Sequence, residues 1–157
     1  MKRYLFLSLL IAVIVGMYAH HSPQSGARGV MSPAVTQGNI QKTICVPGYT
    51  ATIRPPTSYT SPLKKKLCAA QNCGNLSDYE LDHRIALTVG GAPTDLRNLE
   101  LQAYAPRPGA HEKDRLEVLL NKKVCNYELT LVQAQAMLKG DWIRYYRQYI
   151  GNTFGAT

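Results

Sequence analysis

"YELDHRIALTVGGAPTDLRNLELQ", residues 79–102, decides how this chain is read. Apolar or aromatic Tyr79, Leu81, Ile85 and Leu87 make YELDHRIAL two short strands or one bent ribbon. TVGGAPTDLRN is turn chemistry throughout: Gly90 and Gly91 tolerate positive φ, and Pro93 blocks regular structure. LELQ then predicts a short second strand. An acid and a histidine stand side by side at Asp82-His83. Neighbouring side chains in a regular strand face opposite ways. The pair can therefore cooperate only where the strand ends or bends, and the turn expected around Arg84 allows that.

On the C-terminal side, APRPG at 105–109 breaks the chain, and AHEKDRLEVLLNKKVC carries Leu116, Leu119, Leu120 and Val124 at helical spacing. TLVQAQAMLKGDWIRYYRQYI starts with Thr130, and Gln133 completes a capping box. Its stripe of Leu131, Ala134, Leu138, Trp142, Tyr145 and Ile150 predicts one final helix, bent at Gly140. On the N-terminal side, SPLKKKLCAA reads as a short helix opened by Ser61 and Pro62. Pro55-Pro56 excludes a helix interior or a central strand, so the stretch before it is expected to be extended and loop-rich. RPPTSYT, with Arg54 and Tyr59, reads as a rigid hydrogen-bonded loop.

A length of 157 residues suits one domain behind an N-terminal segment. MKR followed by the uncharged YLFLSLLIAVIVGMYA reads as an export signal over 1–19. Met17 makes a poor cleavage site, so removal and retention as an anchor both stay open. Residues 20–43, rich in Ser, Gly, Pro and Gln, read as a flexible linker. The domain is expected over 44–151, with a tail at 152–157.

In an exported chain, Cys45, Cys68, Cys73 and Cys125 favour disulfides over a zinc site, because Cys45 and Cys125 lack close partners. Cys68 with Cys73 would close a small loop, and Cys45 with Cys125 would tie the domain start to a helix end. The formal charge of +8 falls to +6 beyond residue 19, since Lys2 and Arg3 are the only charges before it. That excess favours polyanions, nucleic acid first and an anionic membrane surface second.

Phosphodiester hydrolysis needs a base for the attacking water and positive charge for the phosphoryl and leaving oxygens. A neutral histidine suits the first task at neutral pH. A divalent metal held by a neighbouring carboxylate suits the second.

Asp82-His83, the run to Leu87, Gly90-Gly91, RNLELQ with Asn98-Leu99, and His111 opening the next helix together resemble the HNH, or ββα-metal, nuclease motif. Over about two-thirds of its length the chain is similar to small exported HNH-type proteins of bacteria and phages. The resemblance implies an α+β fold: a ββα-metal hairpin and helix with additional helices, a loop-rich N-terminal part and disulfide staples. It implies His83 as general base, Asp82 as metal ligand, Asn98 as the loop brace and His111 as the helical ligand. Glu112 or Asp114 is the alternative to His111, because APRPG lengthens the interval after Asn98. The cofactor implied is one divalent ion, Mg²⁺ or Mn²⁺ before Zn²⁺. The partner implied is nucleic acid, DNA before RNA, touched by Arg84, Lys113 and Arg115, with Lys64, Lys65 and Lys66 able to steer it. The two Cys-x-x-Cys pairs that many such domains use for a structural zinc are absent. The competing reading is a non-catalytic exported module that binds nucleic acid or an envelope partner.

Overall fold

The computed structural model describes residues 29–151, so the export signal at 1–19 and the tail at 152–157 lie outside the described residues. The architecture is mixed α and β: one two-stranded antiparallel sheet surrounded by helices. Strand β1 is Tyr79–His83 and β2 is Leu99–Ala103, with Tyr79 opposite Ala103 and His83 opposite Leu99. Helices α1 (Tyr49–Ile53) and α2 (Thr57–Gln71) precede the hairpin. Helices α3 (Ala110–Cys125), α4 (Leu131–Lys139) and α5 (Trp142–Tyr149) follow it. Among the described residues, no helix is long and apolar enough to cross a membrane.

YELDHRIAL is one strand, not two. After His83 the chain leaves the sheet and sinks into the core, with Ile85, Leu87 and Val89 buried and a 3-10 turn at Leu87–Val89. Gly90 ends that turn at φ +79°. Gly91 is required for a different reason. A Cβ there would stand 1.7 Å from the Ile85 carbonyl oxygen and 2.9 Å from the Asn98 amide nitrogen.

Helix α3 is the spine. Its Leu116, Leu120 and Val124, spaced four apart, are fully buried against Ile85, Val89 and the α4 residues Leu131, Ala134 and Leu138. Leu119 is only partly buried. The expected single bent helix is two helices. The chain stops at Gly140 and restarts with the Asp141 side chain accepting from the Arg144 amide. This shift of phase puts Tyr146, not Tyr145, in the core.

Two further expectations need correction. The flexible linker over 20–43 is not one in its described part. Gly29 donates to the Arg97 carbonyl and Ala92 to the Val30 carbonyl, while Val35 and Ile40 are buried in the core. Apolar residues are sparse there, yet two of them, Val35 and Ile40, anchor the segment in the core. Helix α2 begins at Thr57, not Ser61, with Pro56 as its N-cap and Pro62 inside it. Pro62 is tolerated because the Ser58 carbonyl it leaves unpaired is on an exposed residue. The stretch before Pro55, expected as extended, contains α1.

Two disulfides staple the fold. Cys45–Cys125 joins the chain just before α1 to the end of α3, and Cys68–Cys73 closes the turn after α2. With every cysteine bonded, a four-cysteine zinc site is excluded.

Candidate functional site

Asn98 holds the site's framework. It is fully buried at the end of the excursion between β1 and β2. Its side-chain oxygen accepts from the Ile85 amide (2.9 Å) and the Val30 amide (3.3 Å). Its amide donates to the Ile85 carbonyl (3.1 Å) and the Ala92 carbonyl (2.9 Å). One side chain thus fastens the Gly-Gly loop, the end of β1 and the N-terminal segment. A second tie comes from RPPTSYT, where the Tyr59 hydroxyl donates to the Thr94 carbonyl (3.1 Å).

That loop orients His83. Its Nε2 lies 2.9 Å from the Pro93 carbonyl oxygen. A carbonyl can only accept, so Nε2 carries the proton and the lone pair is left on Nδ1. Burial lowers the His83 pKa from its ordinary 6.5, partly offset by the Pro93 bond and by Asp82. The ring is therefore neutral at pH 7, the state a general base requires.

Asp82 and the His83 main chain are linked, although alternation separates the two side chains. The link is Lys113 on α3, only 1% exposed. Its ammonium donates to Asp82 (2.5 Å), to the His83 main-chain carbonyl (2.8 Å) and to Glu117. Burial works against the ammonium, but Glu117 and Asp82 prevail and hold its pKa above the ordinary value. Burial pushes the Glu117 carboxyl up while Lys113 pulls it back.

A cavity of about 240 Å³ opens beside His83, walled by Glu80, Asp82, Asp114 and Glu117 with Arg54 and Thr88. At roughly 30 Å³ per water, its volume matches about eight waters, enough for a hydrated ion and a phosphoryl group. The carboxyls burden one another. Glu80 is raised to about 6 by burial, then by Asp82 and Asp114. Asp114 is raised by burial, then by Asp82. When ionised, the four carboxylates outnumber Arg54 and Lys113 by two charges. Another cavity, about 500 Å³ between α3 and α5, contains no histidine and shares only Asp114 with the His83 cavity.

Several sequence expectations fall elsewhere. His111 is exposed and stacks on Tyr104 at 4.7 Å between ring centres, outside the walls of the His83 cavity. Glu112 accepts from the Gly109 amide as a helix cap and meets Arg107. Of the three helical candidates, Asp114 is the one that shares the cavity with Asp82. Lys113, expected at phosphate, is instead an interior strut with all three protons engaged. Arg84 pairs with Glu100 at 2.6 Å. Arg115 hydrogen-bonds the Tyr146 hydroxyl at 3.1 Å and lines the α3–α5 cavity.

A hard divalent cation suits this donor set. Every carboxylate oxygen in the cavity is a hard donor, and the formal charge matches a dication. Thr88 Oγ1 in the wall is also buried without a partner among the described residues. No group of three or more His, Cys, Asp or Glu among the described residues could hold a metal. That is no obstacle to Mg²⁺, which commonly takes one or two carboxylates and fills the rest with water and substrate phosphate. Zinc, which prefers nitrogen and sulfur, fits less well with His111 outside the cavity. No family model, curated protein or solved structure matches the chain.

Proposed function

We propose that the protein is an exported endonuclease, dependent on a divalent cation, that hydrolyses nucleic-acid phosphodiesters on a ββα core of the HNH kind. The observation that carries this reading is His83. It is a buried, neutral imidazole with its tautomer set by the Pro93 carbonyl, lining one cavity with Asp82 and Asp114. Antiparallel β1 and β2 followed by α3 supply the ββα order, and the buried asparagine supplies the brace. The disulfides favour an oxidising compartment, in keeping with export.

In this mechanism His83 Nδ1 takes the proton of the attacking water. Asp82 and Asp114 would hold the cation, which supplies charge to the phosphoryl and leaving oxygens when bound. Lys113 holds the Asp82 carboxylate by a hydrogen bond and fixes the β1 end from which His83 projects. The acidic wall itself supports a need for a cation, because its carboxylates, when ionised, repel a phosphodiester and Lys113 has no proton left to offer it.

The test is supercoiled plasmid with Mg²⁺ or Mn²⁺. Nicking should appear, stop with EDTA and fall by about 10²–10⁴ in His83→Ala, the range a general base contributes. Full activity in His83→Ala removes the base from the mechanism. Salt-sensitive binding without cleavage under any divalent ion would favour the non-catalytic module instead.

A further inference from the structure

We propose that helix α2 carries the binding track for the sugar-phosphate backbone leading to His83, with Arg54 gripping the phosphate at the junction and Lys64 one further along the strand. The ligand class rests on the nuclease reading, while the track rests on its own geometry. Thr57, Thr60, Ser61 and Lys64 stand at i, i+3, i+4 and i+7, which is one face of a helix. That face forms one wall of a second cavity, about 250 Å³, whose other wall is β1 with Glu80, Leu81 and His83.

Arg54, Glu80, Leu81 and His83 belong to both cavities, so the two adjoin across the base. Their charge differs sharply. The first has four carboxylates, whereas Glu80 is the one acid in the second, facing Arg54, Lys64 and three hydroxyls. Neither Arg54 nor Lys64 makes an ion pair among the described residues, and the Thr57, Thr60 and Ser61 hydroxyls have no hydrogen-bond partner there. Donors without partners beside a hydrolytic base are what a phosphate chain needs.

The reach also suits. Seven residues of helix rise about 10 Å, roughly three nucleotide steps of about 3.4 Å along one strand. The wall offers no exposed aromatic ring for stacking, so the contact is to backbone and carries little sequence preference. The same arrangement accounts for RPPTSYT. Buried Pro55 and the Pro56 cap set the angle between Arg54 and α2, and Tyr59 ties that helix to the loop that orients His83.

The experiment measures fluorescein-labelled single-stranded DNA by anisotropy against the full chain carrying His83→Ala, which separates binding from cleavage. Arg54→Ala and Lys64→Ala should each weaken binding by about 5–10-fold and flatten the salt dependence by about one unit of slope. Lys65→Ala and Lys66→Ala, on other faces of α2, should change neither. Arg54 is exposed, and unchanged melting would show that its loss leaves the fold intact. In the active protein, Lys64→Ala should raise KM more than it lowers kcat. Equal weakening by all four substitutions, or none by Arg54 and Lys64, overturns the track even if plasmid is cut. The expected pattern without cleavage in Mg²⁺ or Mn²⁺ keeps the track and overturns the hydrolase. No binding of DNA or RNA overturns both.

Discussion

Replacing Lys113 with methionine, which keeps the stem and deletes the charge, strands two carboxylates in the interior. Breaking a buried pair by removing one partner typically costs about 3–5 kcal/mol. In the intact protein Glu117 already folds with its pKa raised from 4.5 to about 8, burial pushing it up while Lys113 pulls it back. Losing Lys113 therefore adds a cost through this group only as pH rises past about 8. That cost is about 1.4 kcal/mol per pH unit, or about 2 kcal/mol at pH 9.5. Lost hydrogen bonds to Asp82 and the His83 carbonyl add about 1–2 kcal/mol at any pH. Urea unfolding followed by Trp142 fluorescence should show a loss of about 1–2 kcal/mol at pH 6 and about 3–4 kcal/mol at pH 9.5. Adding Glu117→Gln should restore about 2 kcal/mol at pH 9.5. A loss under 1 kcal/mol at pH 9.5, or one independent of pH, would refute the strut.

Asn98→Ala removes four hydrogen bonds to buried backbone and should cost about 3–4 kcal/mol by chemical denaturation, with cleavage lost even where the variant is folded. The acid limb of the cleavage rate should lie below pH 6.5, since burial lowers His83 and the neutral ring is the active form. The matching stability is present above pH 6.5 and lost as pH falls through the lower folded value. Asp82 raises the His83 pKa, so Asp82→Asn should move its titration, followed by NMR, further down. Glu80, raised to about 6, is the opposite case: stability from its protonated form is present below 4.5 and lost as pH rises through about 6. Glu80→Gln should therefore stabilise the protein at pH 8, by about 1 kcal/mol once solvent screening halves the roughly 2 kcal/mol that the shift implies.

The hairpin, its turn chemistry, α3 and the presence of disulfides were legible because each leaves a local signature: period-two strands, a Gly-Gly turn, leucines four apart, four cysteines behind an export signal. Asp82, His83 and Asn98 left no such signature and were singled out only by resemblance to an ordered motif. What failed depended on where a face points. Lys113 looked like one more cation on a charged helix, and only the approach of α3 to β1 turns it inward. His111 occupied the expected place in order, yet the 105–109 insertion carries it onto Tyr104 and brings Asp114 to the cavity. The 29–43 segment looked like a linker because its anchors are few, Val35 and Ile40 with main-chain bonds to the loop, and main-chain bonds leave no trace in composition. The polar stripe of α2 was readable as 57, 60, 61 and 64, but helical stripes are sought in apolar residues and the helix start was set four residues late.

On the proposed reading, the base and a divalent cation share one cavity. Anomalous scattering from a crystal equilibrated with millimolar Mn²⁺ tests it most directly. One peak is expected within about 2.0–2.6 Å of carboxylate oxygens of both Asp82 and Asp114, lost in Asp82→Asn. A Mn²⁺ ion bound at His111 and away from Asp114, or no ion beside His83 at all, would contradict it.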